Sequence, residues 1–198
     1  MLKLKQLAPW ALLSIAATIA ACGGSGGGGY SPPAGGGGGG GVGGVGADMI
    51  GMDLPTTTIG VENDPTWGTV GGYTQSVRSQ VIAFAPGTMI TIKNLSSSTP
   101  HTLNVIGTAG APPANFPSNP SLSTSASGGS VFGIGYATGS ISPGASVSVT
   151  LSNPGTYLVG CAYHYSSNQM RDVVEVASGA TPGPQATAPP GGGGGGGY

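Results

Sequence analysis

Hydrophobic and polar residues alternate along the middle of the chain, roughly from residue 47 to residue 178. A period of two residues is typical of strands that bury one face. Turn sequences of the type X-Pro-Gly separate the alternating segments, and no stretch of ten residues shows a capped helical pattern. The pattern therefore predicts an all-β sandwich. The clearest predicted strands are residues 89–93, 102–105, 146–151, 157–161 and 174–176.

Other parts of the middle are less regular. Segments 57–61 and 81–84 predict further strands, whereas residues 63–75 fit no single pattern. Residues 107–140 are rich in Gly, Pro and Ser and are too long for a plain connection. They predict either a loop that covers the functional end of the sandwich or short strands such as 131–136.

The N-terminus has the features of an export signal. Lys3 and Lys5 precede an apolar run that ends before Cys22 and is too short to cross a bilayer of about 30 Å. We therefore interpret residues 1–21 as a signal peptide. The sequence Ile-Ala-Ala-Cys at 19–22, followed by glycine, resembles the lipobox of bacterial lipoproteins. That resemblance implies a lipid on Cys22 and a place in the bacterial cell envelope, facing the periplasm or the cell surface. The alternative is ordinary cleavage after a small residue such as Ala20, which leaves Cys22 a free thiol.

Composition divides the 198 residues into parts. Of the 41 glycines, 16 lie in residues 23–46, which predicts a flexible tether. Together with the cysteine whose lipid the lipobox resemblance implies, this segment is residues 22–46. Residues 47–178 are expected to form one domain, and 179–198 a disordered tail. Loss of Lys3 and Lys5 with the signal leaves three basic residues against six acidic ones, a net charge of −3. This excludes a basic nucleic-acid-binding surface, and we expect a monomer that binds no nucleic acid.

Residues that bind metals are few, and three of them lie on one short segment. Cys161 follows residues 157 and 159 at period two, so its sulfur is expected to face the interior of the sandwich. His164 and Met170 lie on the loop that follows, and His101 begins another predicted strand. Two imidazoles, a thiolate and a thioether are the ligand set of a blue-copper electron-transfer site.

Other metal chemistries fit this set less well. Zinc usually takes Cys, His or carboxylate ligands and no thioether. Covalent haem needs a Cys-x-x-Cys-His motif, and a binuclear copper centre needs a second cysteine beside Cys161. A hydrolase would need a histidine oriented by an acid, and neither histidine has an acidic residue nearby in sequence.

The segment 85–177 resembles the cupredoxins, the family of plastocyanin, pseudoazurin and halocyanin. The resemblance is carried by Pro-Gly-Thr-Met-Ile-Thr-Ile-Lys-Asn at 86–94, Thr-Pro-His-Thr-Leu-Asn-Val at 99–105, Ser-Pro-Gly at 142–144, and Pro-Gly-Thr-Tyr-Leu-Val-Gly-Cys-Ala-Tyr-His at 154–164. It implies a Greek-key sandwich of about eight strands that binds one copper ion. His101, Cys161 and His164 correspond to the equatorial ligands and Met170 to the axial ligand.

The chain departs from the plastocyanin pattern at two places. Five residues separate His164 from Met170 where plastocyanin has four, so Gln169 occupies the usual axial position. Gln is the axial ligand of stellacyanin-like members, so Gln169 stays an alternative to Met170. Thr102 replaces an asparagine whose hydrogen bonds help to fix the ligand loop in plastocyanin-like proteins. Threonine can form such bonds, although fewer of them.

The resemblance implies an envelope-anchored one-electron carrier that alternates between Cu(I) and Cu(II). Such a protein exchanges electrons with a redox donor and a redox acceptor, and is not an enzyme. The alternative is a copper-binding module for periplasmic copper trafficking or storage, which uses the same ligands and releases the ion. A third class is a structural sandwich that binds no metal.

Overall fold

The computed structural model describes residues 48–76, 78–109 and 116–183. The predicted signal peptide, Cys22, the tether and the tail beyond residue 183 lie outside the described residues. Within them the chain forms twelve strands and one short helix, in the order β1 (Met49–Met52), β2 (Val61–Asp64), β3 (Gly68–Gly71), β4 (Tyr73–Thr74), β5 (Ile82–Phe84), β6 (Met89–Asn94), β7 (Asn104–Thr108), β8 (Ala126–Ser127), β9 (Ala137–Thr138), β10 (Ser146–Thr150), β11 (Gly155–Gly160), α1 (Tyr165–Asn168) and β12 (Arg171–Val176).

The strands form two sheets. The first has the order β10-β6-β1-β4, in which β1 and β6 run parallel and β10 is antiparallel to β6. The second has the order β2-β3-β12-β11-β7-β9-β8, with β5 also paired to β12. Sheet neighbours are mostly distant in sequence, as a Greek-key connection requires.

The larger of two hydrophobic clusters lies between the sheets, and a smaller one contains Leu158 and Val173 of the second sheet. Ile90 and Ile92 of the first sheet belong to the same buried cluster as Tyr157, Val159 and Val174 of the second. These residues occupy alternate positions of β6, β11 and β12, which is the alternation that the sequence shows. The predicted all-β, cupredoxin-like sandwich is therefore confirmed. Eight of the twelve strands have four or more residues, in line with the expected number.

Three strand predictions need correction. The segment 57–61 is mostly a turn, because Thr57 bonds to the Leu54 carbonyl through both its amide and its hydroxyl, and β2 begins only at Val61. The strand predicted at 102–105 begins two residues later, at Asn104. For 107–140, a covering loop or short strands are the predicted alternatives. The short strands β8 and β9 form there, but the example 131–136 is wrong, since the Tyr136 amide bonds to the Gly133 carbonyl in a tight turn.

No helix in the described part of the chain is long and apolar enough to span a membrane. The one helix, α1, has four residues and lies on the loop that joins β11 to β12. The loop that carries the predicted ligands is therefore short, and strands fix both of its ends.

Candidate metal centre

His101, Cys161 and His164 meet at one end of the sandwich. The Cys161 Sγ lies 3.8 Å from the His101 Nδ1 and 3.5 Å from the His164 Nδ1. All three donor atoms lie within 4.8 Å of one another, and the imidazole centroids are 4.9 Å apart. His101 and Cys161 are completely buried, whereas His164 is partly exposed. The three residues that the sequence predicts as equatorial ligands are thus brought together, although 60 residues separate the first two.

These separations fit one metal ion held by all three donors. In a trigonal site with metal–nitrogen bonds of about 2.0 Å and a metal–sulfur bond of about 2.3 Å, the sulfur lies roughly 3.7 Å from each nitrogen. The observed distances of 3.8 and 3.5 Å bracket that value. Two imidazoles and one thiolate in a plane are the equatorial set of a type 1 copper site. The arrangement is therefore that of a site for a single copper ion.

Asn94 organises the turn that delivers His101. Its fully buried amide donates to the Thr99 and Ile141 carbonyls and accepts from the Ser96 amide. His101 then forms a two-way backbone bridge with Ile141, at 3.2 and 2.8 Å. Because these bonds satisfy buried polar groups, the backbone on both sides of the histidine is fixed before any metal binds.

The ligand loop between Cys161 and Met170 closes on itself. The Cys161 carbonyl accepts from the His164 and Tyr165 amides, and the Cys161 amide donates to the Met170 carbonyl at 3.1 Å. Gly160 lies directly before the loop, and a Cβ there would come within 2.5 Å of the Tyr165 ring. A glycine is therefore needed for the tyrosine to pack over the end of β11.

Thr102 connects the His101 segment to the ligand loop. Its amide donates to the Cys161 Sγ at 3.4 Å, and its Oγ1 accepts from the Ala162 amide at 2.8 Å. The same Oγ1 accepts from the Asn104 side chain, whose own oxygen accepts from the Ser123 amide. The threonine thus supplies loop-fixing hydrogen bonds, and Asn104, which sequence reasoning missed, extends them.

The two axial alternatives lie in different surroundings. Met170 is fully buried in the core cluster that also contains Cys161. Gln169 is exposed, adopts the left-handed conformation with φ 55°, and lines a surface depression with Ser167 and Asn168. Burial beside Cys161 favours Met170, because an axial ligand must face the interior of the sandwich.

Asp53 is a neighbour of the site that the sequence did not reveal. Its Oδ1 lies 3.7 Å from the His101 Nε2, which is completely buried and has no hydrogen-bond partner among the described residues. A carboxylate on this side favours the tautomer with its proton on Nε2, which leaves the Nδ1 lone pair for a metal. The residue follows β1 and lies 48 positions before His101, so no local motif marks it.

Burial keeps the two imidazoles uncharged. Desolvation lowers the pKa of His101 to about 4, with a further lowering by His164 and an opposing contribution from Asp53. Desolvation also lowers the pKa of His164. At neutral pH both rings are therefore unprotonated, as metal ligands must be.

Asp53, His101 and Cys161 lie in a line and have the residue types of a cysteine hydrolase. Whether they could act as one depends on whether a substrate can reach the Cys161 thiol. Cys161 and His101 have no exposed surface. A nucleophile must reach its substrate, and a buried thiol cannot. The arrangement of these three residues therefore fits metal binding better than acyl transfer.

The structure thus has the fold and the donor set of a cupredoxin. No protein-family model and no curated protein sequence matches the chain. Among solved structures, similar chains include a Cu(I) form of an amicyanin mutant, with 19% identity over 48% of this chain and 67% of that chain and a TM-score of 0.31. A purple cupredoxin from Nitrosopumilus maritimus has 17% identity over 65% of this chain and 98% of that one, with a TM-score of 0.36.

A third similar structure is reduced auracyanin from the photosynthetic bacterium Roseiflexus castenholzii, with 22% identity over 66% of this chain and 95% of that one. Its TM-score is 0.33. Because these identities and TM-scores are low, the interpretation of the site depends on the strand order and donor geometry of this chain.

Proposed function

We propose that the protein is a blue copper protein that carries one electron at a time. The observation that carries this proposal is the convergence of the Cys161 Sγ with the two imidazole Nδ1 atoms at 3.5 and 3.8 Å, in a pocket closed to solvent except at His164. His101, Cys161 and His164 would be the equatorial ligands and Met170 the axial one. Bound copper supplies a Cu(I)/Cu(II) couple.

The protein would favour rapid transfer by holding its donors in place. Copper(I) prefers soft sulfur and few ligands, whereas copper(II) prefers nitrogen and more ligands, and the mixed set suits both states. The Thr102 and Asn94 hydrogen bonds fix the donor positions independently of the metal. Little then has to move when the charge changes.

The electron would enter and leave through His164. It is the one equatorial donor residue with exposed surface. Beside it, Tyr163 is 42% exposed and bonds through its hydroxyl to Ser140. Tyr163 and Ser140 carry no charge, so this face would give redox partners a contact surface without strong electrostatic steering.

Absorption and electron paramagnetic resonance spectra of the oxidised protein test the proposal. We expect an intense thiolate-to-copper band in the visible range, narrow copper hyperfine splitting, and one reversible redox couple. A protein that loses copper to a chelator on reduction would instead be a trafficking or storage module. A protein that takes up no copper in a copper-replete culture would be a structural sandwich.

Two substitutions test the axial position. Because Met170 is buried in the core and Gln169 points outward, Met170→Gln should change the absorption spectrum and lower the potential, while Gln169→Ala should leave both unchanged. If only Gln169→Ala alters the copper spectrum and potential, Gln169 is the axial ligand and our assignment is wrong.

The location that we propose is the bacterial envelope, with the lipid on Cys22 as the membrane anchor. The lipobox-like sequence at 19–22 and the glycine-rich segment after it support this. Mass spectrometry of the mature protein tests the anchor, because the lipid adds the mass of more than one acyl chain to a peptide that begins at Cys22. An unmodified Cys22 would reject it.

A further inference from the structure

Exposed apolar side chains gather at the end of the sandwich opposite to the metal centre. Met89 is 69% exposed, Ile134 73% and Val131 45%, and Met49 is partly exposed. We call these four residues the distal patch. Among the described residues only two other large hydrophobic side chains are exposed, Val61 at 40% and Tyr163 at 42%.

Strand pairing places three patch residues on one outward face. Met89 of β6 pairs with Thr150 of β10, and Thr150 forms a bridge with Val131. On the other side of β6, Met49 of β1 pairs with Thr91, which is two residues after Met89. Ile90 and Ile92, at the alternate positions of β6, point into the core. Since neighbouring strands are about 4.8 Å apart, Met89 lies within roughly 10 Å of each of the other two residues, and Val131 and Met49 lie about 16 Å apart on either side of it.

Ile134 comes from the turn beside this face. That turn is closed by the bond from the Tyr136 amide to the Gly133 carbonyl, and it follows directly on the segment that pairs with Thr150. Gly133 also lies next to the side chain of Asn153, which follows β10. The patch thus extends from the sheet face to the adjoining turn.

The patch and the metal centre are separated by the length of β6. This strand begins at Met89 and ends at Asn94, whose amide holds the turn that carries His101. Five steps along a strand cover about 17 Å. Contact at the patch therefore leaves the His164 face exposed.

The N-terminal part of the chain joins the domain at the patch itself. Because β1 and β6 run parallel, they begin at the same end of the sheet, and Met49 is the first residue of β1. Cys22 is joined to Asp48 by the 25 residues 23–47. The glycine-rich composition of these residues predicts an average span of about 25 to 30 Å, so a lipid on Cys22 would hold the patch near a membrane.

We propose that the distal patch contacts the lipid surface to which Cys22 anchors the protein, so that the metal centre faces away from the membrane. The proposal rests on the proposed anchor. Met, Ile and Val side chains enter the interfacial region of a bilayer, and the tether replaces a weak bimolecular contact by an intramolecular one. Thr91, Ser148 and Thr150, which lie nearest to Met89 on this face, are uncharged, and the charged Lys93 of the same face lies four residues from Met89 towards the metal centre. The contact should therefore not require anionic lipid.

A second copy of the chain is a poorer occupant. Stable protein interfaces bury about 800 Å² on each partner, which involves 20 or more residues a side. Four side chains provide only a small part of that. Dimerisation is therefore an outcome that the experiment has to distinguish, not the occupant that we propose.

A matched pair of labels tests the orientation. Ser148 lies on the patch face and Ser140 beside His164, and both are exposed. A fluorophore is attached at Ser148→Cys or at Ser140→Cys of the lipidated, copper-loaded full chain, in vesicles of zwitterionic lipid doped with a nitroxide-headgroup lipid. Cys161 is completely buried and is not expected to react. We expect quenching to be several-fold stronger at position 148 than at position 140.

The Met89→Ser/Ile134→Ser double variant is the control. It should remain bound to vesicles through its lipid while the two labels become equally quenched. Equal quenching in the parent chain, or stronger quenching at position 140, would overturn the proposal, and so would a chain that does not bind vesicles at all. A dimer of the Cys22→Ser chain that Met89→Ser dissociates would identify a second copy as the occupant.

The copper band of the same samples separates this inference from the proposed redox function. A chain that shows the expected quenching ratio but no blue absorption would support the orientation and contradict the electron carrier. A blue chain with equal quenching would contradict the orientation alone.

Discussion

The Thr102 hydroxyl joins the His101 segment to the ligand loop. Thr102→Val keeps the shape of the side chain but removes the acceptor of the Ala162 amide and of the Asn104 side chain. Leaving these donors without a partner should destabilise the protein by about 1–3 kcal/mol. We also expect slower electron self-exchange, because the loop is less firmly held. Urea unfolding and line-broadening measurements on mixed redox states check these expectations.

Thr102→Ser is the matched control, since it keeps the hydroxyl and loses only a methyl group. It should retain the self-exchange rate of the parent protein. If valine and serine behave alike, the hydrogen bonds at Thr102 contribute nothing to the loop and the methyl group accounts for any effect.

Single residues also show what the sequence could predict. His101, Cys161 and His164 could be identified because their spacing and their places at strand ends are local features. Asp53 could not, because its 3.7 Å approach to His101 depends on how β1 pairs with β6, which strand periodicity does not specify. The hydrogen bond from the Tyr165 hydroxyl to the Pro117 carbonyl connects the ligand loop to a segment 48 positions away. It could not be predicted either, because it depends on tertiary packing.

Gly72, between β3 and β4, places its backbone against the side chain of Met170. Gly72 has φ +80°, and a Cβ there would lie 2.5 Å from the Met170 Cγ. Gly72→Ala should therefore carry a backbone cost of about 1–2 kcal/mol together with about 1–3 kcal/mol of overpacking. Because Met170 must move, the copper absorption and potential should change too. Chemical unfolding and a redox titration measure both effects.

Gly87 provides the control for this substitution. It has nearly the same conformation, φ +84°, but a Cβ there would meet no atom within 4 Å. Gly87→Ala should thus show the backbone cost alone and keep the copper spectrum. Identical spectra for both variants would mean that Met170 does not respond to its packing or does not bind the metal.

Among the secondary-structure elements, the strands with strong hydrophobic alternation could be predicted from the sequence. Elements that depend on glycine turns or that are too short to show a period could not. Strands β6 and β10 match their predicted segments closely because more buried and more exposed positions alternate along them. The segment 131–136 contains Val131 and Phe132, which suggested a strand, but Gly133 and Gly135 allow the turn that replaces it. The one-turn helix α1 is too short to give a periodic signal.

A group of acidic side chains should make the stability of the whole domain depend on pH. Burial, with a further contribution from Asp64, raises the pKa of Glu62 from 4.5 to about 7. The folded state therefore holds a proton that the unfolded state loses, and stability should fall as pH rises from about 4.5 to about 7. Burial also raises the pKa of Asp172, which acts in the same direction.

Glu62→Gln isolates the part of this effect that belongs to one residue. The difference in unfolding free energy between variant and parent, measured in urea across this pH range, should shift in favour of the variant as pH rises. Contributions from the histidines cancel in that difference. A difference that does not change with pH would show that Glu62 titrates normally in the folded protein.

The low charge of the molecule predicts an electron exchange that is nearly independent of salt. Without the predicted signal peptide, residues 1–21, the chain has nine charged side chains and a net charge of −3. Between ionic strengths of about 0.01 and 0.1 M the screening length falls from about 30 to about 10 Å, which matters only where charges meet. Tyr163 and Ser140, beside His164, carry none. Self-exchange rates measured by nuclear magnetic resonance should thus change by less than about threefold over this range.

Adding one charge at either of two faces shows which face is used in the encounter. Ser140→Lys places a cation beside Tyr163, next to His164, whereas Ser148→Lys places the same charge on the outer face of the first sheet, opposite Thr91 in the middle of β6. Two copies that meet through their His164 faces repel each other in the first variant, so its exchange should be slow at low salt and recover at high salt. The second variant should behave like the parent. The reverse result would mean that electrons do not leave through His164, because like charges act strongly only where the two molecules touch.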